Sequence, residues 1–476
     1  MNSRIQKIAV SLTISLALVT APALAAPVQV ACIDTGTSAW GDLLNHEKIL
    51  PGQSYVQGQT GTEDHVGHGT RISSLILGTT DGMILSPCQE TSLVPLVYYT
   101  KLASGSIQNG GVEALCQAIY DAVDVYQCRI INISSGVPGE SPALEEAAAY
   151  AESKNVLVVA AAGNDGRSLH APASCPTVVA VGSHDQAGTP SVFSSRGDGL
   201  TLLAPGEALK VLSIRNGTEY EEISGTSYAA ALVTAEAAAL LEQYPALTAA
   251  ELRFLLKKSC CDIGAPGWDA ASGYGLLDPV LLAEYAAALH RGELLCYLDV
   301  QPEDRSYPAI KAMTELGILQ GTEEHIFAPE NPITRGGFVT MLYRLAGCPP
   351  VEVPIAFADV TPNVWYEDAI VWAVSKGLIC GYGQDRIGPD DFITREQLAV
   401  ILQNCHKLWS FPAEAAVDLS VYSDEASVSS WAVDAVRWAV AQKPLPQQQE
   451  GLLSPSGSVR RAEAAAVLEW LHRRLS

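Results

Sequence analysis

Apolar positions along this chain fall into two textures that change near Leu294. Before it, short unbroken apolar runs alternate with helical periodicity. Val28-Gln29-Val30-Ala31-Cys32-Ile33 reads as a buried strand, Asn155 to Ala161 and Thr177 to Val181 as two more, and Ile72, Leu75 and Ile76 as one face of a helix. Apolar strands separated by helices predict an α/β domain, a parallel sheet with helices on both faces. The longest helical stretch starts from a small-residue turn, Ile223-Ser224-Gly225-Thr226, and runs through Ala229, Ala230, Ala231, Ala235 and Ala237 to Leu241. Alanine at that density suits a helix packed closely inside the domain. A last helix through Leu289 closes this part of the chain.

Beyond Leu294 the pattern repeats. Ile333-Thr334-Arg335, Ile393-Thr394-Arg395 and Val459-Arg460-Arg461 recur 60 and 66 residues apart, each opening a helix of the type Phe338, Met341, Leu342, Leu345. Upstream in each unit an acid precedes an aromatic: Asp299 and Tyr307, Asp359 and Trp365, Asp424 and Trp431. A second amphipathic helix follows each aromatic, as in Ala369, Ile370, Ala373 and Leu378. Phe327-Ala328-Pro329, Ile387-Gly388-Pro389 and Leu453-Ser454-Pro455 mark the turns. The third unit has a longer connection, Lys443-Pro444-Leu445-Pro446-Gln447-Gln448-Gln449. The expected divisions are a domain at 27–290 and an all-α array of three repeats at 294–350, 351–412 and 415–476.

The first residues read as an export signal at 1–25. Arg4 and Lys7 precede an apolar run from Ile8 to Ala21, and Ala23-Leu24-Ala25 has the small-residue spacing of a cleavage site. That run is shorter than the roughly 20 residues a membrane-spanning helix needs, which favours cleavage over a retained anchor. With 29 basic and 52 acidic residues the formal charge is −23. Such a surface repels the phosphates of nucleic acid and of anionic lipid. The eleven cysteines are odd in number, lie mostly in apolar patterns and lack zinc-ribbon spacing, so most are expected to be small buried residues.

Three polar residues stand where chemistry is easily built. Asp34 ends the first strand, at the carboxyl edge where open α/β sheets form their sites. His68 lies between Gly67 and Gly69 at a helix start, and Ser227 opens the alanine-rich helix, whose free N–H groups favour developing negative charge. Each has a plainer reading: Asp34 as a helix cap, Ser227 as an N-cap, and His65 with His68 as metal ligands, the last without the His-Glu-x-x-His pattern. His46, His170 and His184 remain unassigned loop residues.

Taken together, Val30-Ala31-Cys32-Ile33-Asp34-Thr35-Gly36, Gly67-His68-Gly69-Thr70, Ile131-Asn132-Ile133-Ser134-Ser135-Gly136, Ala161-Ala162-Gly163-Asn164, Ala204-Pro205-Gly206 and Ser224-Gly225-Thr226-Ser227 make residues 27–290 resemble a subtilisin-like serine peptidase, a subtilase. The resemblance implies that Asp34, His68 and Ser227 act as triad and that Asn164 serves the oxyanion, although an Asn after Gly163 also suits a plain turn. It also implies a cleft walled by Ser134, Ser135 and Gly136 on one side and Ala161, Ala162 and Gly163 on the other, which takes protein or peptide substrates as an added strand. Where the family usually has methionine after the serine, and further on proline and histidine, this chain has Tyr228, then Ala231 and Leu232. A folding pro-segment, frequent in the family, is expected to be missing here, since fewer than ten residues separate the cleavage point from Asp34. Calcium is common in subtilases, but Thr79-Thr80-Asp81-Gly82 is too sparse for a site, so no cofactor is expected.

Residues from Leu294 resemble S-layer homology domains. That resemblance implies a pseudo-threefold bundle bound to an anionic secondary cell-wall polysaccharide, with Arg335, Arg395 and Arg461 contacting carboxylates and Trp365 and Trp431 stacking on sugar. Alternatively the tryptophans are core, and the arginines start helices or pair with acids across units. The function expected is a secreted, wall-anchored serine endopeptidase. The competing expectation is a non-catalytic or narrowly specific envelope protein that uses a peptidase fold and wall-binding repeats.

Overall fold

The computed structural model describes residues 27–38, 43–101, 105–213, 220–323, 325–351, 357–383, 385–445 and 449–475, and the expected signal segment lies outside them. The chain divides into two compact units, Met1–Leu294 and Leu295–Ser476. No helix among the described residues is long and apolar enough to cross a membrane.

The first unit is built on strands β1 (Gln29–Asp34), β2 (Gln53–Ser54), β3 (Ser92–Val97), β4 (Ile130–Ile133), β5 (Leu157–Ala161), β6 (Val179–His184), β7 (Leu200–Pro205), β10 (Cys260–Cys261) and β11 (Leu276–Leu277). Their order across the sheet is β10-β11-β7-β6-β5-β4-β1-β3-β2, all parallel except the β10–β11 pair at one edge. A short antiparallel hairpin, β8 (Leu209–Leu212) with β9 (Tyr220–Ile223), stands apart from this sheet.

The helices are α1 (His68–Leu77), α2 (Gly111–Asp124), α3 (Pro142–Ser153), α4 (Thr226–Gln243), α5 (Ala249–Lys258) and α6 (Pro279–His290). Because every central strand is covered on both faces, the runs are apolar throughout, and Val30 to Ile33 are all buried. Alternate residues Ala31, Ile33, Ile131 and Ile133 meet Leu115, Ile119, Leu144 and Ala147 of α2 and α3. Helices α1 and α4 pack together on the sheet, and the fully buried Ala229, Ala230, Ala235, Ala237 and Ala238 let α4 lie against β4 to β7. Strand β1 sits between β3 and β4, so the chain first builds to one side of β1 and then crosses to the other. Such a reversal opens a crevice beyond the carboxyl ends of the strands, where Asp34 stands.

In the second unit each repeat supplies a pair: α7 (Tyr307–Glu315) and α8 (Arg335–Leu345), α9 (Glu367–Ser375) and α10 (Arg395–Trp409), α11 (Val433–Gln442) and α12 (Arg461–Leu475). The segments leading into α8, α10 and α12 close a ring: Ile393 N–H donates to Ile333 O, Val459 N–H to Ile393 O, and Ile333 N–H to Val459 O, at 2.9 to 3.0 Å. Each of those helices then packs on the next repeat, α8 on α9, α10 on α11 and α12 back on α7. No repeat buries its apolar face alone, which is why the pattern must recur. The recurring acids hold the turns: Asp299 accepts from Phe327 and Ala328 N–H, Asp359 from Ile387 and Gly388, and Asp424 from Leu453 and Ser454, at 2.6 to 3.0 Å.

Candidate active site

Asp34 and His68 meet. The Asp34 carboxylate is fully buried at the end of β1, accepts Thr35 N–H at 2.7 Å, and takes Nδ1 of His68 at 2.8 and 2.9 Å on its two oxygens. His68 is the first residue of α1, preceded by Gly67 in the left-handed region at φ 95°. Gly69 is obligatory for the approach: a Cβ there would lie 2.1 Å from the Gly36 carbonyl oxygen. Its N–H donates to Thr35 Oγ1 at 2.7 Å and ties the helix start to the strand end.

Ser227 is buried in the first turn of α4, beside the strand ends of β4 and β5. Its hydroxyl donates to the Ser134 carbonyl at 3.0 Å, and Ser134 Oγ returns a bond to the Ser227 carbonyl at 3.1 Å. No hydrogen bond from Ser227 to His68 occurs among the described residues. Asn132 braces this contact, donating to Ser134 Oγ and accepting from Thr234 of α4, both at 2.9 Å. Asn164 is exposed, and its Oδ1 accepts from Thr226 N–H at 2.9 Å and Thr226 Oγ1 at 3.0 Å, which leaves Nδ2 without a partner among the described residues. Thr226 Oγ1 and Gly163 also exchange contacts at 3.3 Å. Thus the 134–136 and 161–163 segments both border the start of α4, and Ser135 Oγ is buried with no partner among the described residues.

Burial alone lowers the affinity of His68 for a proton, but the charge and hydrogen bond of Asp34, with the Asp64 charge behind them, overcome this and leave its pKa raised. Asp64 was not singled out from sequence. It is buried and accepts Val66 and Gly67 N–H on one oxygen and Thr70 N–H and hydroxyl on the other, at 2.6 to 2.9 Å, so it caps α1. Its only signal was an acid just upstream of a glycine-flanked helix start. His170, unassigned from sequence, donates from Nε2 to Asp165 Oδ2 at 3.1 Å, beside Asn164. The Asp165 carboxyl is held down to about 2 by hydrogen bonds, first from the Ser195 hydroxyl and then from Arg167 N–H and His170.

At the Thr79–Gly82 turn the Asp81 carboxylate accepts from Thr79, Met83 and Tyr220 at 2.7 to 3.1 Å. Among the described residues no disulfide joins the eleven cysteines; six are buried, and Cys296, Cys348 and Cys380 are exposed.

In the second unit the three arginines have partners inside the fold. Arg335 donates to the Ile387 and Cys380 carbonyls, and Arg461 to those of Phe327 and Gln320, at 2.7 to 3.1 Å. Arg395 donates to the Leu453 carbonyl and pairs with Glu463 at 2.5 Å. With Arg335 only 6% and Arg395 7% exposed, a polymer carboxylate would have to displace those partners first. Arg461 is half-buried, while Trp365 and Trp431 are 68% and 59% exposed.

Against known proteins, the family model described as the subtilase family matches residues 26–275, and the S-layer homology domain matches 297–338 and 356–399. Subtilisin Savinase of Lederbergia lenta is 35% identical over 242 residues, 50% of this chain and 85% of that protein. The alkaline protease of Shouchella clausii is also 35% identical over 242 residues, but this chain spans 60% of its length. Among solved structures, the prenylagaramide maturation protease PagA aligns at 26% identity and a TM-score of 0.47, covering 55% of this chain and 94% of that one.

Proposed function

This chain belongs to the subtilase family of serine-type endopeptidases and carries S-layer homology domains, and on that premise we propose that Asp34, His68 and Ser227 form its catalytic triad, with Asn164 as oxyanion donor. The observation that carries the reading is the Asp34–His68 hydrogen bond on a buried carboxylate, inside the matched stretch and beside the start of α4. Asp34 fixes the tautomer in which Nδ1 carries the proton, so Nε2 is free to act as base. Rotation about the Ser227 side chain, exchanging the Ser134 carbonyl for His68 Nε2, prepares the attack on a peptide carbonyl. His68 takes the hydroxyl proton as the C–O bond forms, then gives it to the leaving amine as the C–N bond breaks. The Ser227 N–H and Asn164 Nδ2 receive the oxyanion of the tetrahedral intermediate. The acyl-enzyme is hydrolysed by the same base acting on water. Substrate runs between Ser134-Ser135-Gly136 and Ala161-Ala162-Gly163 as an added strand, and main-chain pairing there favours unfolded or flexible protein. Casein turnover by the wild type and its loss in His68→Ala test this; equal turnover by both refutes it.

The protein is exported and held at the cell wall by three repeats, 294–350, 351–412 and 415–476, on an anionic wall polysaccharide. The exposed Trp365 and Trp431 support stacking on sugar, with Arg461 the more accessible cation. Sedimentation of the full-length Ser227→Ala chain with purified walls tests anchoring. Co-sedimentation weakened by Trp365→Ala or Trp431→Ala is the expected result, and no co-sedimentation refutes it. The hydroxyl bond from Ser227 to Ser134 favours one competing reading, an envelope protein that keeps the fold without the chemistry; the casein comparison separates the two.

A further inference from the structure

The triad reading leaves two aromatic neighbours of His68 without a task. Tyr228 directly follows Ser227, is buried, and sets its ring 5.6 Å from the imidazole centroid at 47°. Tyr99, on a short strand Tyr99–Lys101, lies 6.2 Å from the same ring. Arg71, one turn along α1 from His68, lies near Tyr228: burial pushes the Tyr228 phenol up, and the Arg71 charge draws it back. The Arg71 Nε donates to Glu221 Oε1 at 2.7 Å, with both side chains mostly buried, and Glu221 stands on β9 of the hairpin that packs against α1. One continuous set of contacts therefore runs from Glu221 through Arg71 and Tyr228 to His68.

We propose that Tyr228 is a positioning residue for His68, and that Arg71 and Glu221 hold it in place. The inference rests on His68 being the general base. A ring fixed only through Nδ1 to Asp34 keeps freedom to swing about that bond, and misdirecting Nε2 by a fraction of an ångström weakens proton transfer. A large, stiff ring packed against the imidazole removes that swing. Since Tyr228 and Ser227 are consecutive at the start of α4, the residue that steers the base moves with the nucleophile. The ion pair also has an electrostatic part. Arg71 opposes the imidazolium that forms during attack, and Glu221 offsets Arg71. The groups facing His68 are Asp34 from β1, Asp64 from the segment ahead of α1, Arg71 on α1 itself, Tyr99 and Tyr228; Lys210 on β8 is turned to the Tyr220 ring.

The test is steady-state peptide hydrolysis by the full chain across pH. Tyr228→Ala is expected to lower kcat about tenfold with KM within about twofold, a part of the roughly 100- to 10,000-fold that a positioned base contributes. Tyr228→Phe keeps the ring and most of kcat. Arg71→Met removes a positive charge and moves the acid limb of kcat/KM to higher pH, whereas Glu221→Gln leaves Arg71 unopposed and moves it to lower pH. A pair that merely stabilised the fold would not shift the limb in opposite directions. Arg71→Lys should restore the wild-type limb, and it serves with Tyr228→Phe if the larger truncations fail to fold. The inference is overturned if Tyr228→Ala keeps kcat, or if Arg71→Met and Glu221→Gln shift the limb together or not at all. Absence of turnover in the wild type would instead overturn the peptidase reading beneath it.

Discussion

Asn164 is oriented from its oxygen end. Both Thr226 N–H and Thr226 Oγ1 hold Oδ1, so the residue next to the nucleophile decides where Nδ2 points. Asn164→Ala is expected to lower kcat about 100- to 1,000-fold with little change in KM, a magnitude known from subtilisin and carried over by family membership. Steady-state kinetics checks it, and a loss confined to KM would contradict it. With His68 as the proposed base, its raised pKa sets the sign of the pH dependence: a base works only when neutral, so kcat/KM is expected to rise with pH through a value above the ordinary imidazole pKa of about 6.5. A pH–rate profile with its acid limb below that value would show that Asp34 does not govern the imidazole.

Helix α1 shows what an element requires beyond its own sequence. At its start Asp64, a buried carboxylate, accepts four bonds, from the N–H groups of Val66, Gly67 and Thr70 and from the Thr70 hydroxyl, while Gly69 N–H goes to Thr35. Asp64→Ala leaves those donors unpaired and is expected to cost about 2 kcal/mol in urea denaturation. An unchanged midpoint would mean that the cap is dispensable. The strands and the alanine-rich helix were legible because they are largely buried: Val30 to Ile33 and Ala229, Ala230, Ala231, Ala235 and Ala237 carry their environment in their composition. Asp64 was not, because nothing local distinguishes a capping acid from a solvated one. The same holds for the ion pair of Arg71 with Glu221, 150 residues apart.

At the scale of the molecule, the three repeats are one folding unit that closes on itself. The ring of bonds through Ile333, Ile393 and Val459 and the exchange of helices between neighbours make every repeat depend on the other two. Asp424→Ala, which frees the Leu453 and Ser454 N–H groups, is therefore expected to lower the melting temperature of the whole helical unit by about 4 to 8 °C while leaving the first unit's transition in place. Scanning calorimetry of the full chain reads both transitions, and a drop in both would contradict the independence of the two cores. The repeat was visible as a period, and so were its acids and arginines. Their occupation was not: the turns that receive Arg335, Arg395 and Arg461 belong to neighbouring units, and spacing along a chain does not show closure in space.

The central claim is that Asp34, His68 and Ser227 act together. Its most direct measurement is labelling of the folded chain with a fluorophosphonate, followed by mass spectrometry of the modified peptide. The account predicts one adduct, on Ser227, absent from Ser227→Ala and formed far more slowly by His68→Ala. A folded wild type that stays unlabelled, or one modified at a different serine, would contradict it.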